Sequence, residues 1–459
     1  MKSLKIKDIA AAMGADIVCG EPESEVRRVS HDSRDVEPGT LFFALIGEKN
    51  DAHRFIPDVV EAGCLHVVIS DVEALRPVTE KGVTALFVKD TKKALQDLAS
   101  WYLKEIGVTV VGVTGSVGKT TTKDMLYAIC SQKYRTSCTA GNYNSDVGLP
   151  LTALSLDEGT EVAILEMGMD RPGQIDMLSS IARPKVAVIT TIGSAHIEFF
   201  GTRENILEAK MEIVNHLEKD GTLVVNSDCD LLGPERVRGS YRLVTAGRGI
   251  GADYRISGVK NLGADGCEFT LSNMWVSERF RIPAAGGHNA GNAAVAIAAA
   301  AQLNVSLKEA AKGLASMTLT GNRLTYRNNG KITILDDTYN ASPEAMRAAI
   351  DQLMTTAGNR KIAVLGDMYE LGENSADIHG KIGEYALSKG VDTVIGVGDL
   401  GQLIAAEAGD TGIPVQTKEE AIKILREMAE EGDVVLVKAS HAMQMEKIVG
   451  ALMEEAAGK

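Results

Sequence analysis

Phosphate chemistry is concentrated at residues 108–123, VTVVGVTGSVGKTTTK. A β-branched run breaks into a glycine-spaced loop, Thr114, Gly115, Ser116, Val117 and Gly118, and then into a helix-compatible stretch from Lys119. Glycines let the backbone approach oxyanions, a helix N-terminus aims free N–H groups at them, and Lys119 adds a compact positive charge. Thr120 and Thr121 supply hydroxyls, with Thr120 the one placed to face Mg²⁺. The spacing departs from the usual pattern: five residues rather than four separate Gly112 from Gly118, with Gly115 inside the interval. A plain strand-to-helix turn with a solvated lysine would also use glycine, but GKTTT is a demanding string and reads as a nucleotide site.

Glu166 closes the apolar run ILEMG. A lone acid at a strand end is usually solvated; beside a phosphate loop it is a hard oxygen ligand for Mg²⁺. His196, in TTIGSAHIEFFG, follows the next strand, and only its nearness to that sheet edge lifts it above an ordinary hydrogen-bonding histidine. Lys210, in EAKMEIV, reads on local grounds as a solvated helix lysine. DDTYNASP (336–343) sets two aspartates after an apolar strand and a proline where a helix can start, compatible with a capped turn or with ribose contacts. GNYNS (141–145) and GNR (321–323) are polar loops open to either reading. At 30–53, SHDSRDVEPGTLFFALIGEKNDAH reads as turns flanking a core strand, although Ser33 and Arg34 could hydrogen-bond a base or phosphate.

The elements that must hold these groups fall into three α/β units. Residues 1–105 form a small one, with strands at 40–44 and 66–69. From 106 to 315, strands at 109–113, 162–166, 186–190 and 222–226 alternate with helices such as 119–131 and 205–218. Near-continuous apolar strands in that alternation imply a parallel sheet covered on both faces, with ligands beyond the C-terminal strand ends. Residues 253–282 alternate like antiparallel hairpins, and GGHNAGN (286–292) opens an Ala-rich helix. From 316 to 459 the pattern restarts as a Rossmann-like layer, with strands at 332–336, 361–365, 393–397 and 434–438 and helices at 343–355, 376–389 and 418–431.

Composition sets bounds. A chain of 459 residues exceeds one core, and 45% hydrophobic with 24% charged residues is globular. A net charge of −14 argues against non-specific nucleic-acid or anionic-membrane binding while leaving room for a phosphorylated small substrate. The six cysteines contain no C-x-x-C pair, which points to a reducing compartment. The first twenty residues lack a signal-peptide apolar core, and the longest apolar stretch, 293–301, is too short for a bilayer, so a cytoplasmic protein is expected.

Taken in order, TGSVGKTTT, GNYNSDVGLP, EMG, HIEFFG, the lysine of EAKMEI, GGHNAGN and GNR resemble the Mur ligase family of cell-wall peptide-bond-forming enzymes. Within it, DDTYNASP, GDMYELG (366–372) and KASHAMQMEKIV (438–449) are similar to the member that adds D-alanyl-D-alanine to a UDP-N-acetylmuramoyl tripeptide, and the D-N-P-R string of the diaminopimelate-adding relative is absent. DAH at 51–53 departs from the family's commoner D-G-H. The resemblance implies an ATP-dependent amide ligase of peptidoglycan synthesis, working as a monomer with two Mg²⁺ ions. Lys119 and the loop amides hold the ATP phosphates, Thr120 and Glu166 serve one Mg²⁺, and His196 serves the second. Lys210 is carbamylated, Asn289 and Asn292 lie on the adenine side, and Arg323 and Asp337 close onto ATP. Ser33 and Arg34 lie near the uridine diphosphate, while Asn340, Ser440 and His441 line the dipeptide pocket. Lys119, Lys210, His196 and Asn340 are the catalytic set.

Overall fold

The computed structural model describes residues 1–78, 80–321 and 324–457, with side chains to Glu454. Each run of alternating strands and helices closes into its own sheet. Residues 16–87 contribute five strands in the order 16–19, 84–87, 66–69, 40–43, 28–30, parallel except for the first pair. The helix Thr91–Ile106 leads out of this unit, capped by Asp90, whose carboxylate accepts from the amides of Lys92 and Lys93, and closed by Gly107 at φ 64°. That cap satisfies two of the orphan donors of the first turn.

The central sheet has nine strands, in the order 277–282, 267–272, 254–261, 242–247, 222–226, 186–189, 109–114, 162–166, 136–138. Seven pair in parallel, and the last two in chain order, Cys267–Ser272 and Ser277–Ile282, are added through antiparallel pairing, matching the hairpin pattern of that segment. Along the strands, side chains alternate between two buried faces. Val111, Val113, Ile164, Val188 and Val224 pack on Met125, Leu126, Ile129 and the Ala-rich helix Asn289–Ala301. Val110, Ala163, Leu165, Ala187 and Leu223 pack on the opposite layer with Leu149, Leu178, Ile206 and Ile213. Both faces are covered, as near-continuous apolar strands require. Each buried Val, Ile or Leu contributes about 1.5–3 kcal/mol. Two such layers anchor a strand-end edge whose polar groups add nothing to packing.

The C-terminal sheet runs 325–328, 333–336, 434–438, 361–366, 393–397, 412–415, parallel but for its first strand. Its helix Pro343–Thr355 starts with Ser342 as cap and proline in the first turn. Two elements differ from expectation. The helix expected at 205–218 spans Arg203–Met211 and tightens into a 3₁₀ turn at Glu212–Val214. Thr202 caps it early, and Glu212 is diverted to accept from the amides of Gly173 and Asp176 at the start of the neighbouring helix Gln174–Ala182. The helix from 418 ends at Met428, and the strands Arg242–Gly247 and Gly412–Val415 have no strong sequence signal.

Candidate functional site

The strand Thr109–Thr114, the loop 115–118 and the helix Lys119–Cys130 form the cradle at the C-terminal edge of the central sheet. Gly115 has φ 147°, and a Cβ there would lie 1.9 Å from Thr190 Oγ1; at Gly118, φ 87°, it would lie 2.6 Å from Asn292 Oδ1. Neither position admits a side chain. Thr190 and Thr191, just past the adjacent strand, donate from Oγ1 to the carbonyl of Val117 at 2.6 and 3.1 Å, and the Ser116 amide donates to the carbonyl of Thr191 at 2.8 Å. The loop is thereby held from the side, the Val117 amide also donating to Thr191 Oγ1 at 3.3 Å. Lys119 Nζ folds back onto the carbonyls of Gly115 and Ser116, at 2.8 and 3.3 Å. Ser116 Oγ is buried with no partner among the described residues.

Glu166 pairs in register with Val113 on the neighbouring strand and is 2% exposed. Its Oε1 accepts from Asn144 Nδ2 at 2.8 Å, and its amide donates to Thr139 Oγ1. Its Oε2 is buried without a partner among the described residues. A carboxylate oxygen left bare in an interior is costly unless a cation or donor arrives. Asn144 and Thr139 are orienting residues that sequence reasoning did not single out; GNYNS marked the place of the first without its role.

Lys210 corrects the local reading of a solvated helix lysine. It is 2% exposed, because the helix Arg203–Met211 turns that face toward the sheet. Burial, and then the neighbouring Lys119 ammonium, hold its pKa well below the ordinary lysine value. Burial also lowers the pKa of His196, against the upward pull of Glu370; Lys119 and Lys210 push it further down. His196 Nδ1 is hydrogen-bonded to Glu370 Oε2 of the C-terminal sheet. Lys119 thus bears on both Lys210 and His196 from the loop, favouring their neutral forms. Asn289 and Asn292, both buried at the start of the Ala-rich helix, form a ladder in which Asn292 Nδ2 donates to Asn289 Oδ1 at 2.9 Å and Asn289 Nδ2 to the Ala285 carbonyl at 2.6 Å.

The C-terminal sheet contributes a second cluster at its own strand ends. Lys438, 2% exposed, donates to Asp337 Oδ2 at 2.6 Å and to the Asn340 carbonyl at 2.7 Å, tying two candidate residues together. Asn340 Oδ1 accepts from the Ala341 amide. Buried Ser440 accepts from the Tyr369 amide through Oγ at 2.9 Å, and the His441 ring sits 5.8 Å from that of Tyr339. Arg323 lies outside the described residues. Ser33 and Arg34 stand apart in the N-terminal unit, where Arg34, 87% exposed, clasps Asp32 through Nε and Nη2 at 2.9 and 2.7 Å. Hydrogen bonds from the Arg34 side chain and amide hold the Asp32 carboxyl well below its usual range.

A glycine-spaced loop on a parallel sheet, with a second α/β sheet contacting the segment 193–200 beside it, is the architecture of a nucleotide-binding enzyme. The chain belongs to the Mur ligase family: the family's middle domain matches residues 113–300 and its glutamate ligase domain matches residues 322–441. Within the family it is 40% identical, over 457 residues and 98% of each chain, to UDP-N-acetylmuramoyl-tripeptide–D-alanyl-D-alanine ligase of Bacillus subtilis (strain 168). Its fold is similar to that of MurF from Acinetobacter baumannii, with a TM-score of 0.92 at 33% identity over 99% of each chain. It is also similar to MurF ligase from Thermotoga maritima in complex with ADP, with a TM-score of 0.82 at 32% identity over 94% of this chain and 98% of that one. The resemblance read from the motifs is borne out.

Proposed function

We propose that the protein joins D-alanyl-D-alanine to UDP-N-acetylmuramoyl-tripeptide at the expense of ATP, giving the pentapeptide, ADP and phosphate. The observation that carries the reading is the edge of the central sheet, where the glycine-spaced loop ending in Lys119 stands beside Glu166, whose Oε2 is buried without a partner among the described residues. A carboxylate is a poor acyl donor because its leaving group would be oxide. Phosphorylating the tripeptide's terminal carboxylate gives an acyl phosphate with a competent leaving group; the dipeptide amine then attacks, and phosphate departs from a tetrahedral intermediate.

In this reading Lys119 and the loop amides stabilise charge on the transferring phosphoryl group. The unpartnered oxygens of Glu166 and Ser116 fit a site awaiting a hard cation and polar ligand atoms. Thr120 and Glu166 would hold one Mg²⁺ and His196 would face a second, and the ions would supply charge neutralisation on the phosphates. Lys210 fits carbamylation: burial favours its neutral amine, which adds to the carbon of CO₂ and loses a proton to give an anionic carbamate. Asn289 and Asn292 meet the adenine side, and Asp337, with Arg323, meets ATP from the C-terminal unit. Asn340, Ser440 and His441 receive the dipeptide, and Ser33 and Arg34 lie near the uridine diphosphate.

Three substrates divide among residues 1–105, 106–315 and 316–459, and closure of the last excludes water that would hydrolyse the acyl phosphate. The reaction belongs in the cytoplasm, and no helix among the described residues is long and apolar enough to cross a membrane. Purified protein should release phosphate from ATP only with both the UDP-muramoyl tripeptide and D-alanyl-D-alanine present, and mass spectrometry should find the amide product. Phosphate release indifferent to the dipeptide, or turnover with a folate and glutamate instead, would remove the reading.

A further inference from the structure

The segment 193–200 of the central unit is held from the C-terminal unit by two carboxylates. Glu344, in the first turn of the helix Pro343–Thr355, accepts from the Ser194 amide at 2.9 Å and from Ser194 Oγ at 2.8 Å, both through Oε1. Gly193 makes room for it, since a Cβ there would lie 2.8 Å from Glu344 Cδ. Glu370, in the loop after the strand Lys361–Gly366, hydrogen-bonds His196 Nδ1 through Oε2, and its own carbonyl accepts from the Glu198 amide at 3.2 Å. The two grips differ in what they hold. Glu344 takes a backbone amide and a hydroxyl, whereas Glu370 takes the imidazole itself.

His196 and Glu370 both have φ 64°, the left-handed conformation that residues with a Cβ rarely adopt. Such strain persists where surroundings over-determine it and concentrates where geometry is used. Here it falls on both partners of one contact between two sheets. An imidazole that faces a cation needs one nitrogen bare, and its other N–H is then oriented by a carboxylate or carbonyl. Glu370 supplies that carboxylate from a different sheet than the one carrying His196.

We infer that Glu370 is a positioning residue: its carboxylate accepts the Nδ1 proton of His196 and leaves the Nε2 lone pair for a divalent cation, so that the cation site of the central unit is complete only with the C-terminal unit docked. The inference rests on the reading of His196 as the residue facing the second cation. Arrival of the unit that brings the dipeptide thereby also readies the phosphoryl site, coupling the two half-reactions through one side chain.

The test is Mn²⁺ binding to the full chain in the presence of ADP, followed by electron paramagnetic resonance, with melting curves to verify folding. Glu370→Ala should weaken Mn²⁺ binding about 10- to 100-fold. It should match His196→Ala, and the double variant should bind no more weakly than His196→Ala. Glu370→Gln, whose amide oxygen still accepts from Nδ1–H, should recover most of the affinity. Glu344→Gln, whose amide oxygen still accepts from Ser194 and which leaves the imidazole untouched, should keep the unit docked and the affinity near the parent's. Parent-like binding by Glu370→Ala, with weak binding by His196→Ala, overturns the inference and spares the assignment of His196. Parent-like binding by His196→Ala overturns both. Equal weakening by Glu344→Gln, which leaves the imidazole and its carboxylate partner in place, overturns the role of Glu370.

Discussion

The joint between the phosphate loop and the C-terminal unit runs through Asp124, and Asp124→Ala should loosen it measurably. Asp124 lies in the helix Lys119–Cys130, one turn beyond Thr120. Its Oδ2 accepts from the Thr320 amide at 2.7 Å and its Oδ1 from Thr320 Oγ1 at 2.9 Å, fastening the chain that leads into the C-terminal sheet. Oδ1 also pairs at 2.8 Å with Lys123 Nζ, which donates to the Thr139 carbonyl at 2.9 Å. Lys123 is 1% and Asp124 5% exposed. Truncating one member of a buried pair strands the other charge, at a cost of about 3–5 kcal/mol. Adding Lys123→Met removes the stranded ammonium and leaves mainly the two hydrogen bonds of Thr320 unmade, about 2 kcal/mol at roughly 1 kcal/mol each.

A single unfolding free energy is ill-defined for a chain of several sheets, so the assay is hydrogen exchange by mass spectrometry on peptides covering 119–130 and 316–321. At about 1.4 kcal/mol per tenfold, Asp124→Ala should accelerate exchange there between about 10² and 10⁴-fold. The double variant should fall well short of that. Exchange within threefold of the parent in the single variant, or faster exchange in the double than in the single, refutes the reasoning that the buried pair holds the joint.

Lys119→Met should lower kcat for phosphate release by about 10²–10³-fold while leaving the melting temperature in place; an unchanged kcat removes Lys119 from the phosphoryl site. Lys210→Ala should abolish most turnover, with bicarbonate or short carboxylic acids restoring part of it. Because the folded-state pKa of Lys210 lies below its unfolded value, the unfolded chain binds the extra proton, and the penalty is full below the folded value and fades as pH approaches the ordinary lysine value of 10.5. In CO₂-depleted buffer Lys210→Met should therefore raise the melting temperature at pH 7 and much less near pH 10, and a pH-independent difference counts against burial of the amine. Gly115→Ala must displace Thr190 Oγ1 and hold an alanine at φ 147°, at a cost of about 1–3 kcal/mol for the backbone. Calorimetry should find ADP affinity lost, and retained affinity would mean that the loop can move aside.

The elements with strong local signals were legible in order. Near-continuous apolar strands such as Val162–Glu166 declare burial on both faces, and a glycine-spaced loop before Lys119 declares an oxyanion cradle, because each signal is carried by neighbours in the chain. Glu166 at its strand end followed from the same logic. Lys210 was misread on local grounds, since nothing within a turn of it distinguishes a lysine facing the sheet from one facing water, and only the motif order pointed to it. The pairs Asp124–Thr320, Glu344–Ser194 and Glu370–His196 could not be foreseen, for their partners are 196, 150 and 174 residues apart. Chain periodicity reports which side of an element is apolar. It carries no information on which distant loop will lie against that element, so the cradle and the sheets could be read along the chain, whereas which carboxylates reach across between units and which lysine loses its water depended on packing between distant segments.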